Sequence, residues 1–297
     1  MYNKGYDTIF SEYAYGFIEK KHSGNAETKK GMKNSISKFI NFAGNASFGA
    51  INKQLLEKYR SHCINDLKNK ESTADKSLKN VGTIINAAIE EGIITDNPVK
   101  KIKFKEHDGK KESLSIDEFR LLLGYFNDND NLSIKRKETL RAFLFACCTG
   151  LRWGDIYSLK FENIKDNRII LTEHKTQKKR DVIVMSSALQ FIDFDKKYSE
   201  YQNIFDLPAG QTTNKQLKLF AKEINKKEEQ KVISEKITFH YSRRTLSTLL
   251  YNTTGSIDLT ADIVGNTPEV NKKHYSKILD KKKINVLNEL DIEMFGK

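Results

Sequence analysis

The chain has 297 residues, 38% hydrophobic and 30% charged, and its 51 Lys and Arg against 39 Asp and Glu give a formal net charge of +12. At roughly 100–200 residues per domain this length suggests two domains, and 17 Phe and 12 Tyr supply apolar bulk that argues against wholesale disorder. No run approaches the roughly 18 apolar residues of a membrane span, the N-terminus lacks the apolar stretch of a signal peptide, and the 3 cysteines include an adjacent pair, Cys147 and Cys148, which argues against a disulfide framework or a zinc site.

Residues 7–21 carry Ile9, Phe10, Tyr13, Phe17 and Ile18 at helical spacing, and Ser23-Gly24-Asn25 breaks the pattern. Three more stripes follow: Met32, Ile36, Phe39 and Ile40 within 28–42, then Leu55, Leu56, Tyr59, Cys63 and Leu67, then Leu78 to Ile89. Asp96-Asn97-Pro98 stops the last helix, because proline restricts the residue before it. Residues 99–112 are polar, basic and non-periodic, and are expected to form an exposed linker.

Ser115, followed by Asp117 and Glu118, predicts a capped helix start, and a second helix is expected over 135–148 with Leu140, Phe143, Leu144 and Cys147 inward. Ile169–Leu171 and Val182–Val184 flank HKTQKKRD, the pattern of a β-hairpin with a charged tip. The remainder reads as helical. Few prolines and abundant Lys, Glu, Leu and Ile agree with a helix-rich protein. Residues 1–105 hold 18 basic and 11 acidic side chains, a net +7 that leaves +5 for the rest, so a polyanionic partner could contact both halves.

No Walker-type phosphate loop, HExxH or GxSxG is present, and the carboxylates form no obvious metal cluster. Arg152, Lys175, His240, Arg243 and Tyr275 could carry chemistry of another kind. His240 and Arg243 share one face of a helix at i and i+3. Two guanidinium groups and an imidazole suit a phosphorane-like transition state, since paired N–H donors match phosphate oxygens. A tyrosine fits beside them as a nucleophile that divides one transfer into two. Its pKa of about 10 calls for a base or cationic neighbours. Each residue also has a plainer reading. HxxR is a common string, Arg152 suits a helix-end charge, Lys175 is one lysine among many and Tyr275 suits a core aromatic. His22, His62, His107, His174 and His274 lie outside the constellation.

Together, three strings resemble the tyrosine recombinases, the phage-integrase-type site-specific recombinases. TGLRWGDI (149–156) resembles their first-arginine box, ITFHYSRRT (237–245) their HxxR box, and Val264-Gly265-Asn266 through Tyr275 their terminal box, with Lys175-Thr176 at the place of the hairpin lysine. The resemblance implies a mainly α fold with a small β-hairpin or sheet: a two-domain C-clamp with a helical core-binding (SAM-like) domain over 1–98, a linker over 99–113, a mixed α/β catalytic domain over 114–281 and a C-terminal tail helix over 282–297. The implied partner is double-stranded DNA. A homo-tetramer on two sites is implied as well, with the tail packed in cis or docked on a neighbouring protomer, and no separate arm-binding domain is expected.

The resemblance further implies that Tyr275 attacks the scissile phosphate, Arg152 and Arg243 bind its non-bridging oxygens, Lys175 is the general acid and His240 assists proton transfer. Asp155 would support the arginines. Neither metal nor ATP is implied as a cofactor. One position departs: Asn266 stands where the family usually has His or Trp, so a catalytically weakened DNA-binding relative is the alternative. A basic helical adaptor for acidic proteins is a third possibility, which leaves the boxes as coincidence. A bacterial cytoplasmic location, on the nucleoid when DNA-bound, is expected, and the Lys-, Asn- and Ile-rich composition fits an A·T-rich bacterial or mobile-element source.

Overall fold

The computed structural model describes residues 4–21, 26–105, 112–129, 131–196 and 199–269. The chain divides into two compact units, Met1–Gly109 and Lys110–Lys297.

The first unit is built on four helices, α1 (Phe10–Lys21), α2 (Ala26–Ala43), α3 (Lys53–Asn65) and α4 (Glu71–Glu90). The apolar stripes read from the sequence face a shared core, in which Ile18, Ile36, Phe39, Leu56, Tyr59, Leu78 and Ile84 are fully buried; Leu67, expected in the third stripe, lies past the end of α3 and is exposed. Phe39 meets Phe10 and Tyr59 edge to face at 5.3 and 5.1 Å, the arrangement that aromatic quadrupoles favour. The Asn52 side chain accepts from the Leu55 amide at 2.9 Å and so caps α3.

The stretch beyond Pro98 departs from expectation. Val99 and Ile102 are buried in the core of the first unit, and Asn97 holds the turn, its Oδ1 accepting from the Val99 amide at 3.0 Å and its Nδ2 donating to Gly82 O at 3.0 Å. Two isolated apolar residues among lysines carry no periodicity, so composition alone reads the segment as linker.

The second unit opens with α5 (Ile116–Asn127), where Ser115 and Glu118 form the reciprocal capping box, an N-cap contribution of about 1 kcal/mol. Its centre is α6 (Ile134–Thr149), buried on nearly every side rather than along one stripe. That is the signature of a helix enclosed by others. Beyond α7 (Trp153–Tyr157), the strands β1 (Ile164–Lys165), β2 (Arg168–Thr172) and β3 (Lys179–Ile183) form an antiparallel sheet in the order β1-β2-β3. Leu171 stands opposite Arg180 in this sheet. The short β1 has no counterpart in the sequence reading. Helices α8 (Gly210–Lys227), α9 (His240–Thr254) and α10 (Ile257–Val264) follow, and α9 packs against both α6 and α10. Among the described residues no helix is long and apolar enough to cross a membrane.

Candidate active site

Local chain geometry places the arginines. Helix α6 ends at Gly150, whose φ of +65° closes the C-terminus in the left-handed conformation. The chain then turns so that Arg152 is the N-cap of α7. Asn214 of α8 accepts the Phe239 amide at 2.7 Å, at the start of α9. His240 therefore lies exposed at the first position of α9, and Arg243 lies one turn later, 3% exposed, inside the unit.

The Arg243 guanidinium is gripped by three oxygens. Its Nη1 donates to Gly150 O at 2.6 Å, and its Nη2 donates to Gly265 O and to Asn266 Oδ1, both at 2.7 Å. Burial first, then the positive fields of Arg152 and Arg180, push its pKa down to about 9, while Glu173 and Asp155 oppose the shift. It remains a cation at neutral pH, pre-aimed and partly stripped of water.

Glu173, just beyond β2, is the buried counter-ion of this cluster. Arg152 Nη1 lies 2.6 Å from its Oε1 and Arg180 Nη1 donates to the same oxygen at 3.3 Å, while the Thr176 hydroxyl donates to Oε2 at 2.6 Å. Burial pushes Glu173 up, but Thr176, Arg152 and Arg180 together outweigh it and hold the carboxyl below its ordinary value. The contact from Arg152 is close in charge but lacks hydrogen-bond alignment, which leaves Nη1 buried without a hydrogen-bonded acceptor.

Asp155 accepts the His174 amide at 2.8 Å through Oδ1 and so anchors the start of the hairpin turn. Its charge favours the cationic forms of Arg180 and Arg243, while Glu173 makes the direct pairs with Arg152 and Arg180. Lys175 is exposed on that turn, two residues past Glu173. Tyr275, His274 and the expected tail helix over 282–297 lie outside the described residues.

The structure thus brings Arg243 and Asn266 into contact, pairs Arg152 with Glu173, and leaves Lys175 and His240 exposed on the hairpin turn and at the start of α9. His62, outside this cluster, pairs with Asp66 at 2.6 Å. Glu173 and Arg180 are absent from the sequence reading. Among the described residues no group of three or more His, Cys, Asp or Glu side chains is placed to hold a metal ion. Chemically, the cluster can receive a phosphate diester: donors fixed in place and an internal carboxylate that balances charge until substrate arrives.

Comparison with known proteins is consistent with this geometry. A family model described as phage integrase SAM-like domain matches residues 9–105, and one described as phage integrase family matches residues 112–281. A tyrosine recombinase of Thermosipho africanus (strain TCF52B) is 24% identical over 294 residues, covering 95% of this chain and 98% of that protein. An integrase of Escherichia phage P2 is 27% identical over 216 residues, covering 66% of this chain and 59% of the phage protein's length. Among solved structures, a lambda integrase tetramer bound to a Holliday junction matches with a TM-score of 0.67 at 17% identity, covering 94% of this chain and 81% of that one, a likeness of fold.

Proposed function

The chain belongs to the phage integrase family, the tyrosine recombinases, and from that premise we propose that it cleaves and rejoins DNA at specific sites through a 3′-phosphotyrosyl intermediate formed by Tyr275. The observation that carries this reading is the buried cation Arg243, held by three oxygens, in the positive field of Arg152, which is itself paired with Glu173.

The tyrosine hydroxyl oxygen attacks phosphorus as its proton passes toward His240. The bond from phosphorus to the 5′ oxygen breaks, and Lys175 supplies the proton that the leaving oxygen takes up. Arg152 and Arg243 stabilise the charge gathering on the non-bridging oxygens. Such preorganised donors are each worth about 10²–10³ in rate. Attack by the 5′-hydroxyl of a partner strand reverses these steps and restores the tyrosine. The phosphotyrosyl bond conserves the energy of the broken diester, so the scheme draws on neither ATP nor a metal ion.

Duplex DNA as the partner is supported by the charge of +12 and by Lys215, Lys218 and Lys222 of α8, which line one groove with Lys231 and Lys236. Phosphate contacts of this kind give steep salt dependence. Action as a tetramer on two sites is supported by the likeness to the lambda integrase tetramer on a Holliday junction; the tail over 282–297 is assigned to joining protomers. Integration, excision or inversion of a mobile element, in a bacterial cytoplasm, is the corresponding biological setting.

Asn266, in place of His or Trp, favours a second reading, a DNA-binding relative with weakened chemistry. One experiment separates the two. A recognition site is selected from a pool of random duplexes and rebuilt with a nick beside the scissile position, so that cleavage becomes irreversible. A covalent protein–DNA band on a denaturing gel that is absent in Tyr275→Phe supports the recombinase. A site that is tightly bound and yields no band supports the weakened relative.

A further inference from the structure

We propose that Arg180 is a positioning residue of the recombination site: by holding Glu173 and the carboxyl end of α10 at once, it fixes Arg152 and the Gly265–Asn266 segment in register with each other. The inference rests on the recombinase reading above.

Arg180 lies in the lysine-rich run that forms the hairpin, yet its side chain is only 9% exposed. A guanidinium taken out of water costs several kcal/mol unless charges and acceptors compensate. Its two arms meet the site's two halves. Nη1 donates to Glu173 Oε1 at 3.3 Å, on the hairpin, and Nη2 donates to Ile263 O at 2.7 Å, at the end of α10. That carbonyl belongs to the last turn of the helix, where the backbone acceptors have no partner within the helix and the dipole favours a cation.

Between these contacts the guanidinium lies close against Gly265. A Cβ at that position would fall 2.7 Å from both Cζ and Nε of Arg180. The other side of the same residue serves the reaction, because Gly265 O accepts from Arg243. Arg180 and Arg243 therefore clamp one peptide segment, and Asn266 follows it directly.

The Glu173 contact gives the second half of the role. Arg152 is ion-paired with Oε1 at 2.6 Å, so to bind a phosphate it must turn its donors away from that carboxylate. Glu173 must stay behind when that happens. Arg180 and Thr176 are what hold it there. Without Arg180, the carboxylate would follow Arg152 and compete with the phosphate for it.

The test uses the full chain with the nicked duplex in two forms, one with oxygen and one with sulfur at the 5′ bridging position of the scissile phosphate. Sulfur leaves as a thiolate and does not need the proton from Lys175. Rates and amplitudes of covalent complex formation are measured at saturating duplex for wild type, Arg180→Ala, Arg180→Lys and Lys175→Ala. Arg180→Ala is expected to bind the duplex normally and to reach the wild-type amplitude about 100-fold more slowly, as for loss of a transition-state donor. Sulfur should restore Lys175→Ala and leave Arg180→Ala slow. Arg180→Lys should recover only part of the rate, because one ammonium cannot span both acceptors.

Misfolding would lower amplitude rather than rate, and Arg180→Lys keeps the buried charge if the alanine variant folds poorly. A rate within twofold of wild type for Arg180→Ala overturns the inference, and so does rescue of that variant by sulfur, which would assign the effect to Lys175. Either result leaves the recombinase reading intact. If the wild type forms no covalent complex on a bound site, the recombinase reading fails and this inference falls with it.

Discussion

Arg243 donates from Nη2 to the side-chain oxygen of Asn266 at 2.7 Å. A guanidinium has only donors, so the amide must present its oxygen to Arg243 and turn its NH2 away. Asn266 stands where the family usually has His or Trp, and its NH2 is a donor that a carboxylate lacks. Asn266→Asp keeps an acceptor for Arg243 but replaces the donor with a negative charge, and is expected to slow cleavage about 100-fold or more. Asn266→His is expected to leave the rate unchanged or lower it, since asparagine is well accommodated. A tenfold rise in single-turnover rate for the histidine variant would show instead that asparagine is a handicap.

Arg152→Ala and Arg243→Ala should each abolish covalent complex formation, a loss of about 10³-fold or more, while leaving affinity for the duplex nearly unchanged. One phosphate contact among many carries a small share of the binding free energy, so the salt dependence of binding should barely move. Gel shift and cleavage assays on the same samples separate the two effects. Loss of binding with retained cleavage of the bound fraction would contradict the assignment.

Arg243 also sets a pH limit. Its proton is lost as pH rises through about 9, so cleavage efficiency at subsaturating protein should fall above that value, where free-enzyme ionisations are read. Glu173 is one of the groups that favour its charged form. Glu173→Gln should therefore move the falling limb toward neutral pH, and a limb that stays in place would show that the carboxylate does not reach Arg243 electrically.

Glu173→Gln should destabilise the second unit as well, by about 3 kcal/mol at neutral pH, because it leaves buried cations without their counter-ion. The folded carboxyl titrates below its ordinary value of 4.5. Its contribution is fully present above that value and is lost as pH falls through the folded pKa. Wild type and variant should accordingly converge in acid when thermal unfolding is followed from pH 7 downward.

Gly265→Ala meets two obstacles. Its φ of +67° is one that side chains rarely adopt, and the added Cβ would strike the Arg180 guanidinium. A cost of about 2 kcal/mol in stability is expected, with slower cleavage because Gly265 O moves away from Arg243. A substitution with no effect on the cleavage rate would show that this segment does not position the site.

Most helices are legible from an apolar stripe or a recognisable stop, as at Gly150; α4 instead ends at Glu90, well before Pro98, where the chain turns at Glu91 and Gly92, the latter with φ of +72°, and α6 is enclosed rather than striped. The site was legible in part. His240 and Arg243 sit in a short string whose spacing survives folding, and the same holds for Arg152 after Thr149-Gly150. Glu173 and Arg180 were overlooked because their neighbours make the hairpin look uniformly charged. The alternation that locates them is present: Ile169 and Leu171 point inward along β2, and Val182 of β3 and Val184 just beyond it do the same, which puts Glu173 and Arg180 on the buried face by period two. Burial of Val99 and Ile102 had no such signal, since it depends on where α4 and Asn97 turn the chain back.

The most direct measurement is the identity of the residue joined to DNA. Protein trapped on the nicked duplex would be digested with protease and nuclease, and the modified peptide sequenced by mass spectrometry. The account predicts a nucleotide linked through its 3′-phosphate to the Tyr275 side chain. Attachment to any other residue, or a trapped complex that persists in Tyr275→Phe, would contradict it.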